Sequence, residues 1–286
     1  MGTALKIGVI GAGTMGTCIT ADLLFHELPC VLVDISEKAL ADARAEIEKV
    51  LRFAVVINKD LPKVNVAEVM EKVRFTTDIR DVSDCSYMIE NVPEHWETKE
   101  QVYKQMDHIF AGEMYYAANT SCLSITKLGG VTSRPENVIG VHFMNPSYLK
   151  STVEVIKGHH TSDTCIEQTV SVLKKLNKET IIVNDYPGFV SNRISHLFMN
   201  EAAFVVQDQV ADAAQVDAIF KKCYGHKMGP LETADLIGLD TVVHSLDVLY
   251  QSYQDPKYRC CPLLRKMVDA NLLGKKSGRG FFTYKK

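Results

Sequence analysis

Up to about residue 184, short continuous apolar runs alternate with longer stretches whose apolar positions recur every three or four residues. Continuous runs suit strands buried on both faces, and the longer period suits helices laid over them. Strands are expected at residues 4–10, 30–34, 73–75, 87–90, 114–118, 138–142, 153–156 and 180–183, with helices at residues 17–28, 37–56, 94–110 and 162–176. Ser36 is placed to cap the second helix, residues 59–66 break the chain around Pro62, and residues 111–113 turn it. Asn184-Asp185-Tyr186-Pro187-Gly188 is turn chemistry, and strand signals stop there. Residues 189–209, 212–224, 232–238 and 240–253 all carry helical spacing. The pattern predicts an α/β domain over residues 1–184 followed by an all-helical domain over residues 185–286. Two unequal domains suit a chain of 286 residues, which is long for a single core.

The first strand runs into Gly11-Ala12-Gly13-Thr14-Met15-Gly16, with a helix directly behind it. A lone Gly-x-Gly-x-x-Gly says little, but between a strand and a helix it is the dinucleotide fingerprint of a Rossmann-type, doubly wound sheet. The first glycine permits the tight turn and the second lets backbone approach a pyrophosphate. The third lets helix pack on strand, so that the helix N-terminus faces the phosphates. The second strand ends in Asp34, an acid that can accept hydrogen bonds from ribose hydroxyls and would repel a 2′-phosphate. No arginine follows in Ile35-Ser36, so NAD is expected rather than NADP.

Gly11, Asp34, Asn119 and His142 all fall at the carboxyl ends of expected strands, and a parallel sheet gathers such ends on one rim. Asn119-Thr120-Ser121 is a cluster of side-chain donors and acceptors at one of them. His142 is followed by Asn145-Pro146, and a carboxylate, Glu154, returns twelve residues on in another strand-like run. Imidazole suits proton transfer near neutrality, and a nearby carboxylate orients it and favours its protonated form. A strand-end histidine taken alone does no more than satisfy a hydrogen bond. Its convergence with the glycine loop and Asp34 makes it a candidate general base.

Composition narrows this picture without redirecting it. With 46% hydrophobic and 23% charged residues the chain is ordinary for a soluble globular protein, and a net charge of -3 supplies no reason to expect nucleic acid. The basic cluster of Lys275, Lys276, Arg279, Lys285 and Lys286 supports a solvated tail or a local anion contact. None of the eight cysteines forms Cys-x-x-Cys, so no metal site is expected. No secretory signal is read at the N-terminus, and the cysteines are expected as reduced thiols in a cytoplasmic protein. Cys122, beside Ser121, is expected as a small buried hydrophobe rather than a nucleophile. No run of eighteen apolar residues is present, so no membrane span is expected.

The glycine loop, Asn119-Thr120-Ser121, His142-Phe143-Met144-Asn145-Pro146 and Val153-Glu154-Val155-Ile156-Lys157-Gly158 resemble stretches of the 3-hydroxyacyl-CoA dehydrogenase family, particularly its short bacterial 3-hydroxybutyryl-CoA dehydrogenases. The similarity continues through Pro187-Gly188-Phe189-Val190-Ser191-Asn192-Arg193, Gly229-Pro230, Asp235-Leu236-Ile237-Gly238-Leu239-Asp240 and Gly274-Lys275-Lys276-Ser277-Gly278-Arg279-Gly280-Phe281, and so spans essentially the whole chain. The resemblance implies an NAD-dependent oxidoreductase that interconverts 3-hydroxyacyl and 3-oxoacyl thioesters. It implies His142 as the base, Glu154 as its partner, and Ser121 and Asn192 as ligands of the reacting oxygen. It also sets Glu94 and Lys99 around the nicotinamide ribose, with Thr14, Met15, Asn119 and Ser121 completing the cofactor-facing set. For Lys99 alone, a solvated helix surface would be the default, and Asn192 reads as a poorly helix-forming residue inside a helix. A homodimer packed through the helical domain is expected.

Several positions depart from the family pattern. Met144 replaces a phenylalanine, residues 147–152 are more polar than usual, Ser195-His196 replaces aliphatic residues and proline, and Glu232 stands where a small or apolar residue is common. These changes point to a more polar acyl group. Residues 50–65 carry fewer lysines than in many relatives, where they meet coenzyme A phosphates. An acyl group on an acyl carrier protein, of the polyketide extender-unit kind, is therefore an alternative to acyl-CoA. A free hydroxy acid, as in the gulonate dehydrogenase and lambda-crystallin group, is another. A non-catalytic structural protein would be expected to have lost one of Ser121, His142, Glu154 or Asn192, and all four residue types are present.

Overall fold

A computed structural model describes residues 5–110 and 114–284. Ala4 in the first expected strand, the expected turn at residues 111–113, and Lys285 and Lys286 of the basic cluster lie outside the described residues. The chain divides into two compact units, Met1–Asp185 and Tyr186–Lys286.

The first unit is built on strands β1 (Ile7–Ile10), β2 (Cys30–Val33), β3 (Val73–Thr76), β4 (Tyr87–Glu90), β5 (Tyr115–Asn119), β6 (Val138–His142), β7 (Thr152–Lys157) and β8 (Glu179–Asn184). They form one eight-stranded sheet in the order β3-β2-β1-β4-β5-β6-β7-β8. β1 to β6 pair in parallel, β7 runs antiparallel to β6, and β8 is parallel to β7. The β3-β2-β1-β4-β5-β6 portion has the doubly wound dinucleotide-fold order, as the strand–glycine loop–helix pattern implied. β1, β2, β4 and β6 are buried along their whole lengths, which is why their sequences run apolar without alternation.

The helices of this unit are α1 (Thr14–Phe25), α2 (Glu37–Ile57), α3 (Val66–Met70), α4 (Trp96–Ile109), α5 (Ile125–Gly129) and α6 (Asp163–Lys175). α1 begins inside the glycine loop rather than at residue 17, because Gly13 is its N-cap. Ser36 caps α2 as expected, accepting from the Ala39 N–H at 3.2 Å, and Leu40, Ala43, Ile47, Leu51 and Ala54 make its buried stripe. α3 and α5 were not expected. Each spans five residues, too short for a helical period to show, and each is started by a capping side chain, Asn65 or Ser124.

The second unit contains α7 (Ser191–Gln207), α8 (Ala213–Cys223), α9 (Pro230–Ile237), α10 (Leu239–Tyr253) and α11 (Pro262–Asp269) around Met199, Leu231, Leu239, Leu246 and Leu264. α11, also unexpected, starts at a proline whose missing N–H is harmless there. The fully buried Asp235 carboxylate accepts from the Phe281 and Phe282 N–H groups and the Tyr284 hydroxyl, tying the C-terminal segment to α9. No helix among the described residues is long and apolar enough to cross a membrane.

Asp235→Ala removes the shared acceptor of these part-buried donors, and should lower the stability of the helical unit by about 1–3 kcal/mol. Urea unfolding followed by tyrosine fluorescence measures this; an unmoved midpoint would show that the carboxylate does not hold the segment.

Candidate active site

Strand polarity assembles the site in the first unit. β1, β2, β4, β5 and β6 present their carboxyl ends to one rim, delivering Gly11, Asp34, Glu90, Asn119 and His142. β7 runs the other way, so the beginning of this strand reaches the same rim. In the β6–β7 ladder His142 and Glu154 are direct partners.

The glycine loop has the shape that a dinucleotide requires. A Cβ at Gly13 would meet nothing within 4 Å, so the backbone there is open to a pyrophosphate. One at Gly16 would fall 1.8 Å from the Gly11 carbonyl oxygen, which is why only glycine fits under the turn. Asp34 Oδ2 accepts the Ala12 N–H at 2.8 Å and Oδ1 the Ser36 N–H at 2.9 Å, which fixes the carboxylate beside the loop. Thr14 is exposed and Met15 partly so. A cavity of about 460 Å³ opens here, walled by Gly13, Thr14, Asn145 and the α2 residues Asp42, Glu46 and Val50.

His142 is 5% exposed. Its Nδ1 lies 3.1 Å from Glu154 Oε2 and its Nε2 3.2 Å from Ser121 Oγ. An ionised carboxylate only accepts, so the Nδ1–H donates to Glu154 and the Nε2 lone pair faces Ser121. Three side chains from three elements thus form one hydrogen-bonded chain, Ser121–His142–Glu154.

The Ser121 loop is shaped by Glu94. Its Oε1 accepts the Thr120 hydroxyl, the Ser121 N–H at 2.9 Å and the Cys122 N–H at 3.1 Å. Burial and the Glu94 charge push the Cys122 thiol up to about 12, so it stays protonated at neutral pH and is no nucleophile.

Lys99 departs from the solvated default drawn for it and sits among the polar groups of the rim. Its side chain is fully buried rather than solvated, and Nζ donates to both Glu90 oxygens at 2.8 Å and to the Asn119 carbonyl at 3.1 Å. With these three contacts Lys99 braces the ends of the strands beside the cofactor loop. Burial raises the Glu90 carboxyl above its ordinary range, with Lys99 pulling the other way. Asn119 is committed similarly: Nδ2 donates to Asn91 Oδ1 at 2.7 Å and Oδ1 accepts the Phe143 N–H at 3.2 Å. Sequence reasoning missed Glu90 and Asn91. The available signal was a lone carboxylate closing the apolar run Tyr87-Met88-Ile89-Glu90.

Asn192 lies in the first turn of α7, not in a helix interior, and a first-turn asparagine is not a misfit there. It belongs to the second unit. Some of the polar departures have local partners. Ser147 is buried and Tyr148 packs on Phe25 of α1 at 6.1 Å between ring centroids, so this stretch is anchored to the core. His196 is buried and its Nδ1–H donates to the Asn192 carbonyl at 3.0 Å. Glu232 pairs with Lys221 at 2.7 Å. None of these contacts needs a polar acyl group to explain it.

Residues 6–186 match the family model of the 3-hydroxyacyl-CoA dehydrogenase NAD binding domain, and residues 188–284 that of the 3-hydroxyacyl-CoA dehydrogenase C-terminal domain. The chain is 42% identical to a probable 3-hydroxybutyryl-CoA dehydrogenase of Deinococcus radiodurans, over 98% of this chain and 100% of that one. It is 37% identical to a 3-hydroxybutyryl-CoA dehydrogenase of Bradyrhizobium diazoefficiens, over 98% and 95%. The crystal structure of (S)-3-hydroxybutyryl-CoA dehydrogenase from Ralstonia eutropha superposes with a TM-score of 0.92 at 38% identity, covering 98% of this chain and 99% of that one. A dinucleotide loop, a rim bearing Ser121–His142–Glu154, and two matched domain models in order place this chain in the 3-hydroxyacyl-CoA dehydrogenase family of NAD-dependent oxidoreductases.

Proposed function

We propose that the protein interconverts a 3-hydroxyacyl-CoA thioester and its 3-oxoacyl form, with His142 as the general base. The observation that carries this reading is the imidazole held between Ser121 and Glu154 on the rim that bears the glycine loop. NAD, when bound, supplies the hydride acceptor. His142 Nε2 takes the substrate hydroxyl proton as the carbonyl forms, and in the reverse direction returns it. Glu154 holds Nδ1–H throughout and offsets the positive charge that the ring gains. Ser121 directs the reacting oxygen toward Nε2, and Asn192, carried by the helical unit, is its second ligand by resemblance. Asp34 takes the adenosine ribose hydroxyls on its remaining lone pairs. Glu94 and Lys99 hold the loops against which the nicotinamide end rests.

A carrier-protein thioester is the second reading, and α2 favours it. Phe53, Val56 and Ile57 are 61%, 75% and 78% exposed, Arg52 is paired to Glu48 at 3.6 Å, and Asp42 and Glu46 line the cavity. This surface offers apolar contact, and its cations Lys49 and Arg52 each face a glutamate of the same helix. Exposed Val210, Tyr224 and Leu236 in the helical unit support a homodimer, and the free thiols fit a cytoplasmic setting.

His142→Ala should lower kcat about 10²–10⁴-fold with NADH binding within twofold of the parent, by steady-state kinetics and NADH fluorescence titration. Parent-like turnover would refute the base assignment. A panel presenting one 3-hydroxyacyl group on coenzyme A, on an acyl carrier protein and as the free acid should give the highest kcat/KM on coenzyme A. A tenfold preference for the carrier protein selects the second reading, and activity confined to the free acid rejects both.

A further inference from the structure

The connection between His142 and Glu154 is clamped by a buried ion pair that takes no part in binding or chemistry. Lys178, immediately before β8, has a side chain 4% exposed, and Asp22 on α1 is fully buried. Lys178 Nζ lies 2.9 Å from Asp22 Oδ2 and donates to two backbone carbonyls, Ser147 at 2.8 Å and Lys150 at 2.7 Å. Both carbonyls belong to the turn Ser147–Leu149 and its C-cap, within the segment that reverses the chain from β6 into β7. The same segment leans on α1 elsewhere: Tyr148 packs on Phe25, and the Cys18 thiol donates to Asn145 Oδ1 at 3.7 Å. The Glu179 N–H donates to the Ser151 carbonyl at 2.7 Å.

We propose that Asp22 and Lys178 are positioning residues for the oxidoreductase reaction, holding the reversing turn so that Glu154 meets His142 in register and both stay fixed relative to the glycine loop at the head of α1. Two buried charges gain little net stability over apolar replacements of similar volume, so a stabilising role alone is a poor account of the pair. A register role fits better. Antiparallel partners exchange faces with a slip of one residue, and such a slip would carry Glu154 away from Nδ1. The lysine reaches two carbonyls of the turn at once, while Asp22 ties the ammonium to the helix whose first residues form the dinucleotide loop. The base, its carboxylate and the cofactor loop are thereby made one rigid body.

The inference rests on the proposed function, and the test separates the two. The variant is Asp22→Asn/Lys178→Met, which removes both charges together. The control is Tyr87→Phe, which breaks the buried Tyr87–Thr169 hydrogen bond of 2.9 Å elsewhere in the same unit. In the parent background the double variant should lose at least tenfold in kcat while KM for NAD stays within twofold. Tyr87→Phe should keep parent kcat, with melting temperatures measured for both. If the double variant fails to fold, Asp22→Asn/Lys178→Gln, whose shorter amide reaches fewer carbonyls, carries the same expectation. Parent-like kcat in a folded variant overturns the proposal, as does an equal kcat loss in Tyr87→Phe. A parent enzyme inactive with every thioester and free acid would sink the function instead.

Discussion

The site depends on one reversal of strand direction. In a parallel sheet every strand offers the functional rim only its last residue and the loop beyond. The run from β1 to β6 follows that rule with Gly11, Asp34, Glu90, Asn119 and His142. β7 breaks it, bringing an early residue of a strand to the same rim and setting Glu154 opposite His142. Antiparallel partners stand close enough for adjacent side chains to meet without unusual rotamers. The 3.1 Å contact is therefore a consequence of topology, and what must be controlled is the register of the reversal.

Control comes from buried polar groups at both ends of the rim. Glu90–Lys99 and Glu94 immobilise the ends of β4 and β5 and the Ser121 loop, with Asn119 joining them to the start of the post-β6 segment. Burying such groups is expensive in desolvation, and their hydrogen bonds mainly offset that expense. What they secure is position. A nucleophile or base that must meet a substrate hydroxyl needs placement within a fraction of an ångström, and apolar packing specifies direction less sharply than hydrogen bonds do.

The sheet and most helices were readable from the chain because apolar runs and helical periods are local signals. β4 and β6 have the bounds that their sequences suggest, and Ser36 and Ser162 cap α2 and α6 where a capping residue precedes a periodic stretch. α3 and α5 escaped because five residues do not display a period against their flanks, and α11 was not read either. The site was readable to a different depth. Which strand ends converge follows from parallel pairing, so Gly11, Asp34, Asn119 and His142 could be grouped, whereas the roles of Ser121 and Glu154 came with the family resemblance. Lys99 could not be read correctly, since its environment comes from Glu90 nine residues earlier and from Asn119 twenty residues later. Helical periodicity places a lysine on a face but does not say what the sheet sets beneath it. The folded surroundings of residues 147–152 were out of reach for the same reason. Lys178 meets the backbone carbonyls of Ser147 and Lys150, and α1 meets the Tyr148 ring, only in the folded chain.

The rim and the α2 face of the first unit are built differently. The rim is braced by buried ion pairs and backbone hydrogen bonds, so a changed side chain there disturbs several partners at once. The α2 face is a solvated helix surface, with Asp42 and Glu46 facing the cavity and Phe53, Val56 and Ile57 exposed beyond them. Substitutions on that face alter what approaches the cavity without reaching the His142–Glu154 pair. A polyphosphate handle needs cations at its landing place, whereas a protein-borne thioester needs apolar contact and room for its arm. The surface of α2 and the rim thus differ in kind, one a solvated helix face beside the glycine loop and the other a set of strand ends held by buried polar contacts.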